Sequence, residues 1–259
     1  MPELDALLDL AKSTAARAGK RLLDQTSPQD AHYVHSMEHQ REIKAIADTV
    51  MDKEVLQALA VAELPILSEE SGYIASPQNA KHWFIVDPLD GTFNFVKRLG
   101  ACAISIALWE NQQPIFGVIY SLLERQLSWG GIDIGSFIGG RRISVSDTRD
   151  QSLASICTGF PVRMDMNDER TMQSFWRMVS PYAKVRMLGS AAASLLHVAQ
   201  GSADVYAETS IMLWDVAAGI AIVQGAGGNY VMKRVGKEEW SYKVFASNPA
   251  LLAYYPNDY

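Results

Sequence analysis

The chain has 259 residues, 48% of them hydrophobic, and sets 23 Lys+Arg against 29 Asp+Glu for a formal net charge of −6. That length supports a sizeable core, as one large domain or two closely packed halves, and the acidic balance without a basic tract argues against nucleic acid as the main partner. Cys102 and Cys157 are too few and too far apart for a disulfide framework or a zinc cluster, and read as buried thiols.

From Leu4 the apolar positions Leu7, Leu8, Ala11, Ala15, Ala18 and Leu22 recur at helical spacing, and the pattern fades at Gln25-Thr26-Ser27-Pro28. This predicts an amphipathic helix with a clear stop. The acidic start lacks a signal-peptide pattern and no run approaches the ~18 apolar residues of a membrane span, so a soluble, cytoplasmic protein with no membrane partner is expected. Residues 27–41 are polar, carry His32, His35 and His39, and read as a mobile loop. The spacing of His35 and His39 also admits zinc, but no recognisable motif follows, which favours solvated histidines. A second helix is expected from near Arg41 to about Ala62, with Asp48 in its first turns. Alone, Asp48 complements the helix dipole; beside other acids it is a candidate for holding a hydroxyl or a water. A short strand at Leu64–Leu67 then runs into Ser68-Glu69-Glu70-Ser71-Gly72, whose paired carboxylates repel unless a cation lies near.

The stretch Trp83-Phe84-Ile85-Val86 reads as a buried strand that delivers Asp87-Pro88-Leu89-Asp90-Gly91-Thr92 at its end. Two carboxylates three residues apart suit Mg²⁺, which takes few protein carboxylates together with waters and phosphate oxygens. Pro88 would turn the backbone sharply so that the Leu89 carbonyl faces the same ion, and Gly91-Thr92 would open a short helix toward a phosphate. An Asp-Pro turn followed by an Asp cap is the plainer alternative. Residues 101–109 and 115–120 form a β-hairpin, and 122–130 and 135–145 add short strands, with the glycine pairs near 130 and 139 read as turns. From about Asp147 strands and helices alternate. Strands are expected at 155–161, 184–188, 203–208, near 230–232 and near 244–246. Helices are expected after Asp168, from Gly189-Ser190-Ala191, and from Trp214-Asp215, the last closed by Gly227-Gly228, with a short terminal helix after Pro249.

Periodicity alone leaves Glu69, Asp87, Asp90 and Asp215 as scattered acids at strand ends or helix starts. Yet Leu67-Ser68-Glu69-Glu70-Ser71, Asp87 to Phe95, and Trp214-Asp215-Val216-Ala217-Ala218-Gly219 resemble, in order, the three signature segments of the inositol monophosphatase family of metal-dependent, lithium-sensitive phosphatases. The resemblance implies a layered α-β-α-β-α sandwich of the inositol monophosphatase/fructose-1,6-bisphosphatase type. It places an antiparallel half at 1–147, an α/β half at 148–259 and the site between them. It also implies Mg²⁺ held by Glu69, Asp87 and the Leu89 carbonyl, a second ion at Asp87, Asp90 and Asp215, and often a third near Glu69. Two ions roughly 3.5–4 Å apart can clamp an in-line displacement. On this reading Glu69 and Thr92, with Asp48 bonded to Thr92, position the attacking water, while Asp90 and Asp215 serve the leaving group. Thr92 as a plain helix cap is the alternative. Substrate contacts are expected from Asp90, Gly91, Thr92, Gly189, Ser190, Ala191, Glu208 and Asp215, although Glu208 also reads as a surface acid.

Gly225 stands where the family usually has Glu, and the histidine-rich loop is unlike the usual one. Both departures bear on the substrate. The implied activity is Mg²⁺-dependent hydrolysis of an inositol or sugar monophosphate by a protein that is often a homodimer, with the apolar hairpin as an interface. The alternatives are a 3′(2′),5′-bisphosphate nucleotidase and a non-catalytic regulatory partner.

Overall fold

The computed structural model describes residues 3–25, 33–35, 43–76, 80–162 and 164–255, with 25, 33–35 and 43–45 described by backbone alone. In chain order the elements are α1 (Leu4–Gln25), β1 (Tyr33–His35), β2 (Ile43–Ala45), α2 (Ile46–Leu59), β3 (Ile66–Ser68), β4 (Gly72–Ile74), β5 (His82–Asp90), α3 (Thr92–Lys97), β6 (Ala103–Glu110), β7 (Gln113–Ser121), β8 (Gln126–Gly131), β9 (Gly135–Ile138) and β10 (Arg141–Ile143). Then follow β11 (Ser155–Cys157), α4 (Glu169–Val179), β12 (Lys184–Arg186), α5 (Ala191–Ala199), β13 (Val205–Met212), α6 (Leu213–Gly225), β14 (Asn229–Arg234) and β15 (Ser241–Ser247).

Strand alternation sorts these elements into five layers. One sheet has the order β10-β9-β8-β7-β6-β5-β3-β4, antiparallel except where β3 runs parallel to β5. On one face Phe84, Val86, Ile104, Ile106, Phe116 and Val118 pack against Leu7, Ala11, Ala15, Met51 and Val55 of α1 and α2. On the other, Ile85, Ala107, Trp109 and Ile119 meet Leu195 of α5 and Val216 and Ile220 of α6. The same two helices are covered from beyond by Cys157, Tyr206 and Val244 of the second sheet, whose order is β12-β11-β13-β15-β14. Its outer face, with Ile156, Val205 and Phe245, carries Phe175 and Met178 of α4. The expected α-β-α-β-α sandwich is the fold observed. Helix α6 lies so close to the first sheet that a Cβ at Gly117 would stand 2.1 Å from the Ala218 carbonyl oxygen.

Four local expectations are corrected. The stretch read as a mobile loop contains β1, which pairs antiparallel with β2, so α2 begins at Ile46 and not near Arg41. His32 and His39 lie outside the described residues, and His35 is described by backbone only. The strand into the acids does not stop at a turn before them: β5 continues to Asp90 with a register shift between Asp87 and Asp90. The absent N–H of Pro88 falls at this interruption of the ladder, where it costs no hydrogen bond. Gly130 and Gly131 belong to β8 and are not a turn. The apolar faces of the hairpin belong to the core and are not a free apolar surface, because β6 and β7 sit mid-sheet and are mostly buried.

Candidate active site

The parallel pairing of β3 with β5, Ser68 opposite Val86, brings the carboxyl ends of both strands side by side. Glu69 follows β3 and donates its N–H to the Val86 carbonyl at 3.1 Å, so it stands next to Asp87. Asp215 arrives from the other layer, in the first turn of α6, where its carboxylate accepts the Met212 N–H at 3.1 Å and is thereby held at the helix start. Glu69, Asp87 and Asp215 each offer an oxygen within 4.8 Å of the others.

Burial, followed by the charges of Glu69, Asp90 and Asp215, raises the Asp87 carboxyl well above the usual carboxylate range. Asp215 is raised likewise, by burial first and then by Glu69 and Asp90. Asp87 Oδ1 accepts the Leu89 N–H at 2.9 Å, whereas its Oδ2 is buried with no hydrogen-bond partner. Three crowded acids and one orphaned oxygen are the donor set of a hard divalent cation, whose charge would reverse each of those shifts. The residues present therefore fit a metal.

Asp90 looks across to α5. Its Oδ2 accepts the Ser190 hydroxyl and the Ala192 N–H, the latter at 2.9 Å. Burial pushes its pKa up to about 6 against the lowering effect of those bonds. Ser190 also caps α5 by accepting the Ala193 N–H at 3.1 Å. Thr92, the first residue of α3, places its hydroxyl 3.0 Å from Asp48 Oδ1 and 3.1 Å from the Leu89 carbonyl oxygen. One hydroxyl has one proton. When Asp48 accepts it, the Leu89 carbonyl and a Thr92 lone pair are both left for other partners. Gly91, at φ 81°, holds the entry to α3, and a Cβ there would lie 2.7 Å from the Ala101 carbonyl oxygen.

Glu208, on β13, is buried, and desolvation followed by the charge of Asp90 pushes it up to about 8. It lines a cavity of about 360 Å³ whose walls include Met164, Arg170, Phe175, Met178 and Gly159. A Cβ at Gly159 would come within 2.8 Å of Glu208 Oε1.

The structure thus joins Asp48 to Thr92, Glu69 to Asp87 and Asp215, and Asp90 to Ser190. Gly225, which the sequence placed around the site, lies at the far end of α6 from Asp215. Sequence reasoning missed three contributors. Asn94 donates to the carbonyls of Ala101 (2.9 Å) and Leu188 (2.7 Å), tying α3 to the segment before Gly189. Tyr206 buries a hydroxyl without a partner, in a place where Glu208 and Asp215 act on it. Asp52 is buried and accepts from Ser68 and Ser71 on either side of Glu69. The available signal for Asp52 was its position four residues after Asp48 on a helix with an apolar face.

Comparison with known proteins bears on the family and the fold. The model of the inositol monophosphatase family matches residues 3–251. A relative from Aquifex aeolicus (strain VF5), named fructose-1,6-bisphosphatase/inositol-1-monophosphatase, is 28% identical over 253 residues, covering 97% of this chain and 94% of that one. Among solved structures, extragenic suppressor protein suhB from Bartonella henselae superposes with a TM-score of 0.83 at 30% identity, covering 96% of each chain. Inositol monophosphatase from Anabaena (Nostoc) sp. PCC 7120 gives 0.80 at 30% identity, covering 96% of this chain and 92% of that one.

Proposed function

This chain belongs to the inositol monophosphatase family and is a metal-dependent phosphatase, and from that premise we propose which of its residues do the work and on what. The substrate is a small phosphomonoester, an inositol or sugar phosphate, and the ion is Mg²⁺. Glu69, Asp87 and the Leu89 carbonyl would hold one ion, Asp87, Asp90 and Asp215 a second, with a third expected near Glu69. The observation that carries this reading is the convergence of Glu69, Asp87 and Asp215 within 4.8 Å around an unpartnered Asp87 oxygen. Bound there, Mg²⁺ supplies positive charge to the phosphoryl oxygens and makes a water more acidic.

The chain's own groups set the geometry. Asp48 accepts the hydrogen bond of the Thr92 hydroxyl, which leaves the Thr92 oxygen as an acceptor for the attacking water, and the Glu69 carboxylate accepts that water's other hydrogen bond. Asp90, fixed by Ser190 and Ala192, and Asp215, fixed at the start of α6, face the leaving oxygen. Gly91, Gly189 and Ala191 are the backbone expected beside the phosphate and its ester. Glu208, on the wall of the cavity of about 360 Å³, meets a hydroxyl of the leaving alcohol. In the same reading residues 1–147 and 148–259 are two halves that share the site, and the enzyme works in the cytoplasm. It does so as a homodimer, for which a groove lined by Trp83, Tyr230 and Trp240 offers a surface. Among the described residues no helix is long and apolar enough to cross a membrane.

The test is phosphate release from inositol phosphates, sugar phosphates, histidinol phosphate and adenosine 3′,5′-bisphosphate, with Mg²⁺ and with EDTA. Release from an inositol or sugar phosphate that EDTA abolishes is expected. Turnover confined to the adenosine bisphosphate would move the substrate assignment to the nucleotidase branch, and release indifferent to EDTA would overturn the metal assignment.

A further inference from the structure

Helix α2 touches the site twice. Asp48 reaches Thr92, and one turn later Asp52, 2% exposed, reaches the turn after β3. Residues four apart share a helix face, so both carboxylates leave α2 in the same direction. The two oxygens of Asp52 are divided between two hydroxyls: Oδ1 accepts from Ser68 and Oδ2 from Ser71. These serines bracket Glu69-Glu70. Ser68 Oγ in addition receives the Glu70 N–H at 3.3 Å, and the Glu69 N–H is committed to Val86. A carboxylate is the one side chain that offers two acceptors and no donor, which matches two hydroxyls that each have a proton to give. Among the described residues these two serines are Asp52's hydrogen-bond partners, so its buried charge is committed to the turn and to nothing else.

We infer that Asp52 is a positioning residue: it clamps the Ser68–Ser71 turn to α2 and so sets where the Glu69 carboxylate meets the metal. This rests on the assignment of Glu69 as a metal ligand made above. The consequence is that one helix registers both groups given to the attacking water, Thr92 through Asp48 and Glu69 through Asp52. Partners one bond removed from a ligand typically change metal affinity or activity by about 10–100-fold when removed.

Two readouts besides activity test the clamp. The first is amide hydrogen exchange of residues 69–71 in the metal-free protein. The second is Mg²⁺ binding by calorimetry. Asp52→Ala is expected to speed exchange at 69–71 selectively and to weaken Mg²⁺ by about 10-fold or more, with kcat returning toward wild type once Mg²⁺ saturates. Asp52→Asn keeps one acceptor and should weaken Mg²⁺ less. Ser71→Ala, which leaves no buried charge unpaired beyond one arm, should fall between wild type and Asp52→Ala, and it reads the clamp if Asp52→Ala does not fold. Unchanged exchange at 69–71 in Ser71→Ala and Asp52→Asn would overturn the clamp. So would a general loss of protection with kcat unrecovered at saturating Mg²⁺, which marks a merely structural residue. Glu69→Gln is the separate control. If it binds Mg²⁺ as wild type does while exchange at 69–71 still responds to Asp52, the ligand assignment fails and the clamp survives only as a loop anchor.

Discussion

The two sides of the site are built on opposite principles. On the metal side Asp48, Asp87 and Asp90 are buried acids, each fixed by hydrogen bonds to a named backbone or hydroxyl partner, and Asp87 and Asp90 are crowded until burial and mutual repulsion raise their protonation. On the side proposed to take the leaving group, Glu208 is the buried acid of a cavity walled by Met164, Phe175 and Met178, with the Phe160 and Phe175 rings 4.5 Å apart. On the first side each acid is held by a specific hydrogen bond, so substitutions there are expected to be felt directly. The second is shaped by apolar packing, which many side chains can satisfy. On the proposed reading the chemistry is held by the first side, while selectivity among alcohols would rest on a wall that can change without disturbing it.

The sharpest break of that contrast is Asp87→Asn. It is expected to abolish Mg²⁺ binding by calorimetry and lower turnover by about 10³-fold or more, since it removes a ligand shared by both proposed ions. The same change should raise the melting temperature of the metal-free protein, because it deletes a buried carboxyl crowded by Glu69, Asp90 and Asp215. Tight Mg²⁺ binding in this variant would sink the metal assignment. Next comes Thr92→Val, nearly the same shape without the hydroxyl. A loss of about 10²-fold in kcat with Mg²⁺ affinity within a few-fold of wild type is expected, as for removal of one positioned hydrogen-bonding group. Equal loss in both would make Thr92 a structural tie between α3 and α2 and no part of the water site.

Glu208 tests the other side through pH. Its folded pKa of about 8 lies above the ordinary 4.5. The folded state thus favours the protonated form, so this group's stabilising contribution is complete below pH 4.5 and is lost as pH rises through 8. At about 1.4 kcal/mol for each pH unit between the two values, the loss amounts to a few kcal/mol. Glu208→Gln should flatten the fall in melting temperature between about pH 5 and 8 in EDTA, and should raise KM for polyol phosphates more than it lowers kcat. Parallel melting profiles for the two proteins would show that Glu208 is not buried as an acid.

The same asymmetry governs what the sequence discloses. Helix α1 is legible from period alone, because its inward positions are apolar almost without exception. Strands β1 and β2 are not, being three residues each and paired with one another. Glu69, Asp87 and Asp215 are visible as acids at element ends, but their convergence depends on the parallel β3–β5 pair and on α6 crossing the sheet, contacts that no local pattern encodes. Asp52 stays hidden because a carboxylate on a helix reads as a solvated charge until the serines that bury it are found. The leaving-group wall gives no signal at all, since Phe175 and Met178 look like core residues and pack as such.

Gly225 separates the two kinds of reading with the smallest expected effect. Compared with relatives it looks like a missing carboxylate near the site. In the structure it lies ten residues after Asp215 on α6, about 15 Å along the helix at 1.5 Å per residue. A Cβ there would stand 2.5 Å from the Gly131 carbonyl oxygen and 2.5 Å from Ser136 Oγ. Backbone cannot yield as a flexible side chain does, so Gly225→Ala forces α6 away from β8. It is expected to cost about 1–3 kcal/mol of stability, the usual range for overpacking. Because Asp215 is anchored at the opposite end by the Met212 N–H, Mg²⁺ affinity and KM should stay within a factor of about two. Urea unfolding alongside calorimetry checks both halves. A variant of unchanged stability and altered KM would return Gly225 to the site and make close packing of α6 the wrong reason for its glycine.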